Sequence, residues 1–222
     1  MTKVLSAPRR RSAKAQAHPQ RRTQQQRRDD TQSLLLDATI ACLSEVGYNQ
    51  TSTTLVALRA GVSRGAQTHH FPTKDALVTA AVVRLSDAMV SALDEDLARC
   101  KSKPDVLEAF MQGIWRTKQG PLFSAGLEIS VAARHIPSLK TLCLENWQRL
   151  NAVIQSHVQS VAISLCPDNP QPVALALHQS VLLVHAIALN EMLSGPVPEN
   201  TVLFESMVAR VRDMTFANAP SS

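Results

Sequence analysis

From residue 29 onward the apolar positions recur at three- and four-residue spacing, which predicts a run of helices and no convincing strand. Asp29-Asp30 carry carboxylates suited to a helix N-terminus and open the first predicted helix. Leu35, Ala38, Cys42 and Val46 share one of its faces, and Gly47 stops it. After the polar connector YNQTST, Ser52 or Thr53 opens a short helix, TLVALRA, that ends at Gly61. Ser63 caps a second short helix, RGAQTHH. Phe71-Pro72 ends it, because proline disfavours helical geometry in the residue before it. Thr73 caps a long helix from Lys74 to about Cys100, striped by Leu77, Ala81, Leu85, Ala88, Ala92 and Leu93. Pro104 opens the next, to about Lys118, and QGP at 119–121 breaks the chain. Further helices are predicted over 121–134, from Pro137 past His157, over 173–193 and over 201–215, with CPDNPQP (166–172) as a loop. The expectation is an all-α chain of nine helices.

Residues 1–28 break this pattern. They hold few apolar residues, show no periodicity and carry nine Lys/Arg with no acid. Such a segment buries too little to offset its ordering entropy, so it is expected to be a disordered basic arm. The overall net charge of +5 comes from this arm, since residues 29–222 hold fourteen Lys/Arg against eighteen Asp/Glu. Basic arms commonly bind nucleic acid, and a solubilising tail is the plainer reading. No apolar h-region follows the basic start, and no uncharged apolar run reaches about 18 residues. A cytoplasmic protein with no membrane partner is expected. Cys42, Cys100, Cys143 and Cys166 show no C-x-x-C spacing and read as reduced thiols.

The stretch GVSRGAQTHHFPTKDAL (61–77) carries the chemistry. Two short helices around Gly61 fit a helix-turn-helix. Glycine tolerates the positive φ of an abrupt turn, Ala57 is small enough for close helix approach, Val62 fills the corner and Ser63 satisfies amide donors. The second helix can then present Arg64, Ala66, Thr68 and His69 to a major groove. An ordinary αα-corner in a bundle would show the same local pattern. His69 and His70 are neighbours about 100° apart on a helix and have no His, Cys or carboxylate partner at i+3 or i+4, so no metal site is expected. No G-x-S-x-G, H-E-x-x-H or Gly-rich phosphate loop is present, which leaves an enzyme without support.

From Asp30 to Leu77 the chain resembles the DNA-binding domain of TetR-family transcriptional regulators, through LLDATIACLSEVGYNQTST, VALRAGVSRGA and HHFPTKDAL in that order. The resemblance implies a basic arm (1–28), a helix-turn-helix domain (29–75) and a helical ligand-binding and dimerisation domain (76–222). It implies DNA contacts from Thr53, Ser63, Arg64, Ala66, Gln67, Thr68, His69, His70 and Lys74, with His70 and Lys74 against phosphates. Packing beside Phe71 is the alternative for His70. Gln67-Thr68 departs from the family's apolar residue and tyrosine, so the Gln67 stem is expected to pack and its amide to face solvent or DNA. The last two helices are expected to form a homodimer interface, because Val181, Leu182, Val184, Ile187 and Ala188 spread more widely than one core face needs; a central helix buried within one subunit is the alternative. Trp115, Phe123, Glu128, Trp147, His178 and His185 are the candidates for an effector cavity. The implied function is a repressor released from a palindromic operator by an unidentified small molecule, with no cofactor. The alternative is an architectural DNA-binding protein without an effector, which a filled body would favour and an open cavity would disfavour.

Overall fold

The structure, a computed structural model, describes residues 23–100 and 105–217. These residues form nine helices and no strand: α1 (Gln24–Gln50), α2 (Thr53–Arg59), α3 (Arg64–His70), α4 (Lys74–Cys100), α5 (Val106–Thr117), α6 (Pro121–Ala133), α7 (Pro137–Leu165), α8 (Pro170–Ser194) and α9 (Pro198–Ala217). The all-α, nine-helix expectation holds.

Four starts differ from the sequence reading, the shortest shift being α5, which begins at Val106 under an Asp105 cap rather than at Pro104, a residue outside the described ones. Helix α1 begins five residues before Asp29, where Thr23 and Gln26 form a reciprocal capping box. Residues 24–28, read as arm, are therefore helix, and the remainder of the arm, residues 1–22, lies outside the described residues. Helices α8 and α9 begin at Pro170 and Pro198, each three residues before the start the sequence predicts at 173 and 201. Proline is accepted in a first helical turn because its missing N–H would have no intrahelical partner there.

The buried side chains form two cores. One gathers Leu35, Leu43, Val56, Leu77, Val78 and Ile129 from α1, α2, the first half of α4 and α6, and reaches Leu139 on α7. The other gathers Leu97, Phe110, Ile114, Val161, Leu177 and Val208 from the second half of α4 and from α5, α7, α8 and α9. Helix α4 runs through both. Its buried stripe passes through Ser86, Leu93 and Leu97, while Ala92 faces out. Helix α1 packs most extensively against α6 and also against α4, so it buries Leu36 and Ile40 in addition to the single face expected. Helices α4 and α8 are long and apolar enough to cross a membrane by length and hydropathy, but both use apolar faces inside the bundle.

Candidate nucleic-acid interface and effector cavity

Each corner of the α2–α3 unit is closed by a local bond. Ser52, rather than Thr53, caps α2, its Oγ accepting from Leu55 N at 3.1 Å. Gly61 sits at φ 64°, and open space surrounds the position a Cβ would take, so it is the backbone conformation that requires glycine there. Val62 N donates to Ala57 O at 3.0 Å, and Ser63 Oγ accepts from Ala66 N at 3.2 Å. Ala57 is buried and Val62 half-buried, which lets the two short helices meet closely.

This packing turns one face of α3 outward. Arg64, Gly65, Thr68 and His69 are exposed, with Ala66 and His70 half-buried at its edges. Arg64 Nη1 donates to Thr54 Oγ1 on α2, which holds the guanidinium against the turn. Gln67 points the other way. It is 1% exposed, and its Nε2 donates to Phe71 O at 2.6 Å, so its amide does not face solvent or DNA as expected. A buried amide finds a partner where it can, and the C-terminal carbonyl of α3 has no intrahelical donor. The His70 ring lies 6.4 Å from that of Phe71. Burial lowers the His70 pKa, and His69 and Arg28 press it down further. Arg28, assigned to the arm by sequence, is thus near the C-terminal end of α3.

Lys74 Nζ donates to Tyr48 O at 2.6 Å and lies 4.1 Å above the centroid of the Tyr48 ring, with burial lowering its pKa. The ammonium is engaged with the Tyr48 and Asn49 carbonyls at the end of α1 and stays part-exposed.

Between α4, α6, α7 and α8 lies a cavity of about 180 Å³. Leu85, Met89, Ile129 and Ile154 contribute apolar walls, and Ser86, Lys118, Asn146 and Asn151 contribute polar groups. Phe123, Trp147, His178 and His185 line it as the sequence suggested. Phe123 and His185 meet edge to face at 5.3 Å between ring centroids, and Trp147 stands 67% exposed. Burial lowers the His185 pKa, assisted by the positive charge of Lys118. Among the described residues no group of three or more His, Cys, Asp or Glu is placed to hold a metal.

Residues 35–81 match the family model of bacterial regulatory proteins of the tetR family. Over 165 residues the chain is 32% identical to the HTH-type transcriptional regulator CymR of Pseudomonas putida, covering 73% of this chain and 81% of that one. The chain belongs to the TetR family. The regulator BetI of Pseudomonas aeruginosa is 32% identical over 122 residues, 53% of this chain and 62% of that one. A Rhodococcus transcriptional regulator superposes with a TM-score of 0.58 at 24% identity, covering 86% of this chain and 98% of that one. A TetR family regulator from Marinobacter aquaeolei superposes with 0.56 at 17% identity, covering 84% and 97%. These two show the TetR fold.

Two effector candidates lie elsewhere in this TetR-family body. Trp115 packs on the second core, 5.9 Å from the ring of Phe204, and does not reach the cavity. Glu128 turns toward the DNA-binding unit, its Oε2 accepting from Tyr48 N at 3.2 Å. That carboxylate sits against Gly47, whose backbone (φ 75°, ψ 173°) is a conformation essentially restricted to glycine. Glu128 therefore joins α6 to the end of α1. Sequence reasoning missed Lys118 and Ser86 in the cavity. Ser86 lies inside the regular pattern of α4 and Lys118 at the end of α5, and only the packing of other helices shows what they face.

Proposed function

We propose that the protein is a homodimeric, ligand-responsive repressor whose two α3 helices enter successive major grooves of a palindromic operator. The observation that carries this reading is the double role of α4. At one end Lys74 fastens it to α1 beside the reading helix, and further along Val82, Leu85, Ser86 and Met89 line the cavity. A molecule filling the cavity presses on the helix that positions α3. The reading helices must lie about 34–36 Å apart to match one turn of DNA, and an effector acts through its differential affinity for that spacing.

A second copy of the chain supplies the dimer. Leu175, Leu182 and Leu189 recur every seven residues along α8, with Gln179, Ala186 and Leu193 four residues after each, and all six are exposed. Val202 and Leu203 extend the apolar surface onto α9. A seven-residue apolar seam on a helix is suited to packing against another helix. The expected interface residues Val181, Val184, Ile187 and Ala188 are instead buried within the subunit, so of the five only Leu182 remains on this surface. An open cavity favours the regulator over the architectural alternative. Operator binding would place the protein in the cytoplasm, with the basic arm adding phosphate contacts.

The test is selection of a binding site from random duplexes, followed by anisotropy titration of the selected site. The expected result is a palindromic sequence bound by one dimer and released by a cavity ligand. Sequence-independent binding that no cavity ligand alters would favour the architectural reading.

A further inference from the structure

Lys118 is at the C-terminal end of α5, and its side chain reaches into the cavity, where the ammonium lies 5.6 Å from the centroid of the Phe123 ring. Among the described residues it has no carboxylate or carbonyl partner, and the cavity lining contains no Asp or Glu. A half-buried ammonium without a counter-charge loses part of its hydration, and the protein offers it only the weak attraction of a ring face.

A second orphan lies in the same cavity. Ser86 is buried, and among the described residues its Oγ has no hydrogen-bond partner. A helical serine often bonds back to the carbonyl four residues earlier. Here that carbonyl, Val82 O, is approached at 3.5 Å by Asn146 Nδ2, which also lines the cavity. Most buried polar atoms have partners, so an orphaned hydroxyl on a cavity wall marks a place where a ligand atom can supply one. His178 lines the same cavity. Its Nδ1 lies 3.2 Å from Gln155 Nε2, and its Nε2 is the ring nitrogen without that contact.

We propose that the cavity takes a small organic acid, a ring or short chain of hydrocarbon bearing one carboxylate that pairs with Lys118 Nζ. This rests on reading the cavity as the effector site and names the class of molecule that fills it. Burial lowers the Lys118 pKa with no opposing charge to raise it, and an arriving carboxylate would supply that charge. The neighbouring His185 would share the anion from the α8 side. The size agrees, since an apolar cavity of about 150 Å³ accommodates benzene. The apolar walls exclude a multiply charged anion, and the absence of any acid in the lining disfavours an organic cation.

The test is isothermal titration of the full-length protein with benzoate, 3-phenylpropanoate and octanoate, with their primary amides, and with phenethylammonium. At least one acid is expected to bind about tenfold or more tightly than its amide, as a charge-assisted bond requires. Phenethylammonium is expected not to bind. Lys118→Met should remove the preference for acid over amide and Lys118→Arg should keep most of it. The Met variant should melt no lower than the parent, because it loses an unpaired half-buried charge. Acids that bind no better than amides, a preference that survives Lys118→Met, or no acid binding at millimolar concentration would each overturn the assignment. Operator release is read separately by anisotropy. An acid that binds through Lys118 without releasing DNA leaves the ligand class standing and removes the effector reading. Release by a neutral compound or a cation, with the acids inert, does the reverse.

Discussion

In the turn between α2 and α3 the polar groups that packing covers or caps have partners. Ser52 and Ser63 hold amides, and the Gln67 amide holds the Phe71 carbonyl. In the cavity between α4 and α8 the Ser86 hydroxyl and the Lys118 ammonium have none among the described residues. The first region's backbone is held by its own bonds, so the α3 face is placed while the Arg64 side chain on it stays free to move. The second leaves polar groups unsatisfied, and something outside the protein can complete it. A satisfied region presents a surface, whereas an unsatisfied one has a reason to bind.

The largest effect expected concerns how the two regions are held in register. Leu175→Glu with Leu193→Glu alters two side chains that are 60% and 91% exposed in the subunit, so the fold should survive. If the α8 seam is the dimer interface, sedimentation should show helical monomers. Operator affinity should then fall toward the non-specific level, a loss of at least about a thousandfold. A dimer that persists would place the interface elsewhere. Ile187→Glu, by contrast, should unfold the subunit, because it buries a carboxylate in the core.

A smaller effect isolates the reading face. Arg64 is exposed and held only by Thr54, so it can swing to a guanine and make two bonds. Arg64→Ala should cost about 1–3 kcal/mol at the operator and relax preference at one base pair per half-site. An unchanged affinity and site preference would show that the α3 face reads through other residues.

The last test places one glycine substitution on each side of α6, with opposite expected signs: Gly47 against Glu128 and Gly126 on the cavity wall. Gly47→Ala should destabilise the fold by about 1–3 kcal/mol, since few other residues adopt that backbone conformation. The added Cβ would also come within 2.7 Å of Glu128 Oε2, displacing the carboxylate from Tyr48 N. Gly126→Ala, on the cavity side of α6, should stabilise by about 0.5–1 kcal/mol. Its Cβ would meet Met89 Sδ at an ordinary 3.6 Å. Thermal or denaturant unfolding of both variants reads the two signs, and a stabilising Gly47→Ala would break the comparison.

The sequence by itself determined what depends on near neighbours. The helix count, the caps at Ser63 and Thr73, the positive φ at Gly61 and the stop at Phe71-Pro72 all rest on contacts within about one helical turn, so they are legible in order along the chain. Proline was the local signal that misled, because one residue type both ends a helix and opens one, as Pro170 and Pro198 do. What only the tertiary structure decided lies at long separation. Glu128 meets the amide of Tyr48 eighty residues away, and Lys74 meets the carbonyl of the same residue from twenty-six. Helix α8 is apolar on nearly every side, so its pattern names no face. Only the packing of α5, α7 and α9 against it assigns Val184 and Ile187 to the core and leaves Leu175, Leu189 and Leu193 outside. The cavity is the extreme case. An unpaired ammonium at Lys118 and a partnerless hydroxyl at Ser86 are relations to atoms that are absent, and a chain read residue by residue has no way to display a space.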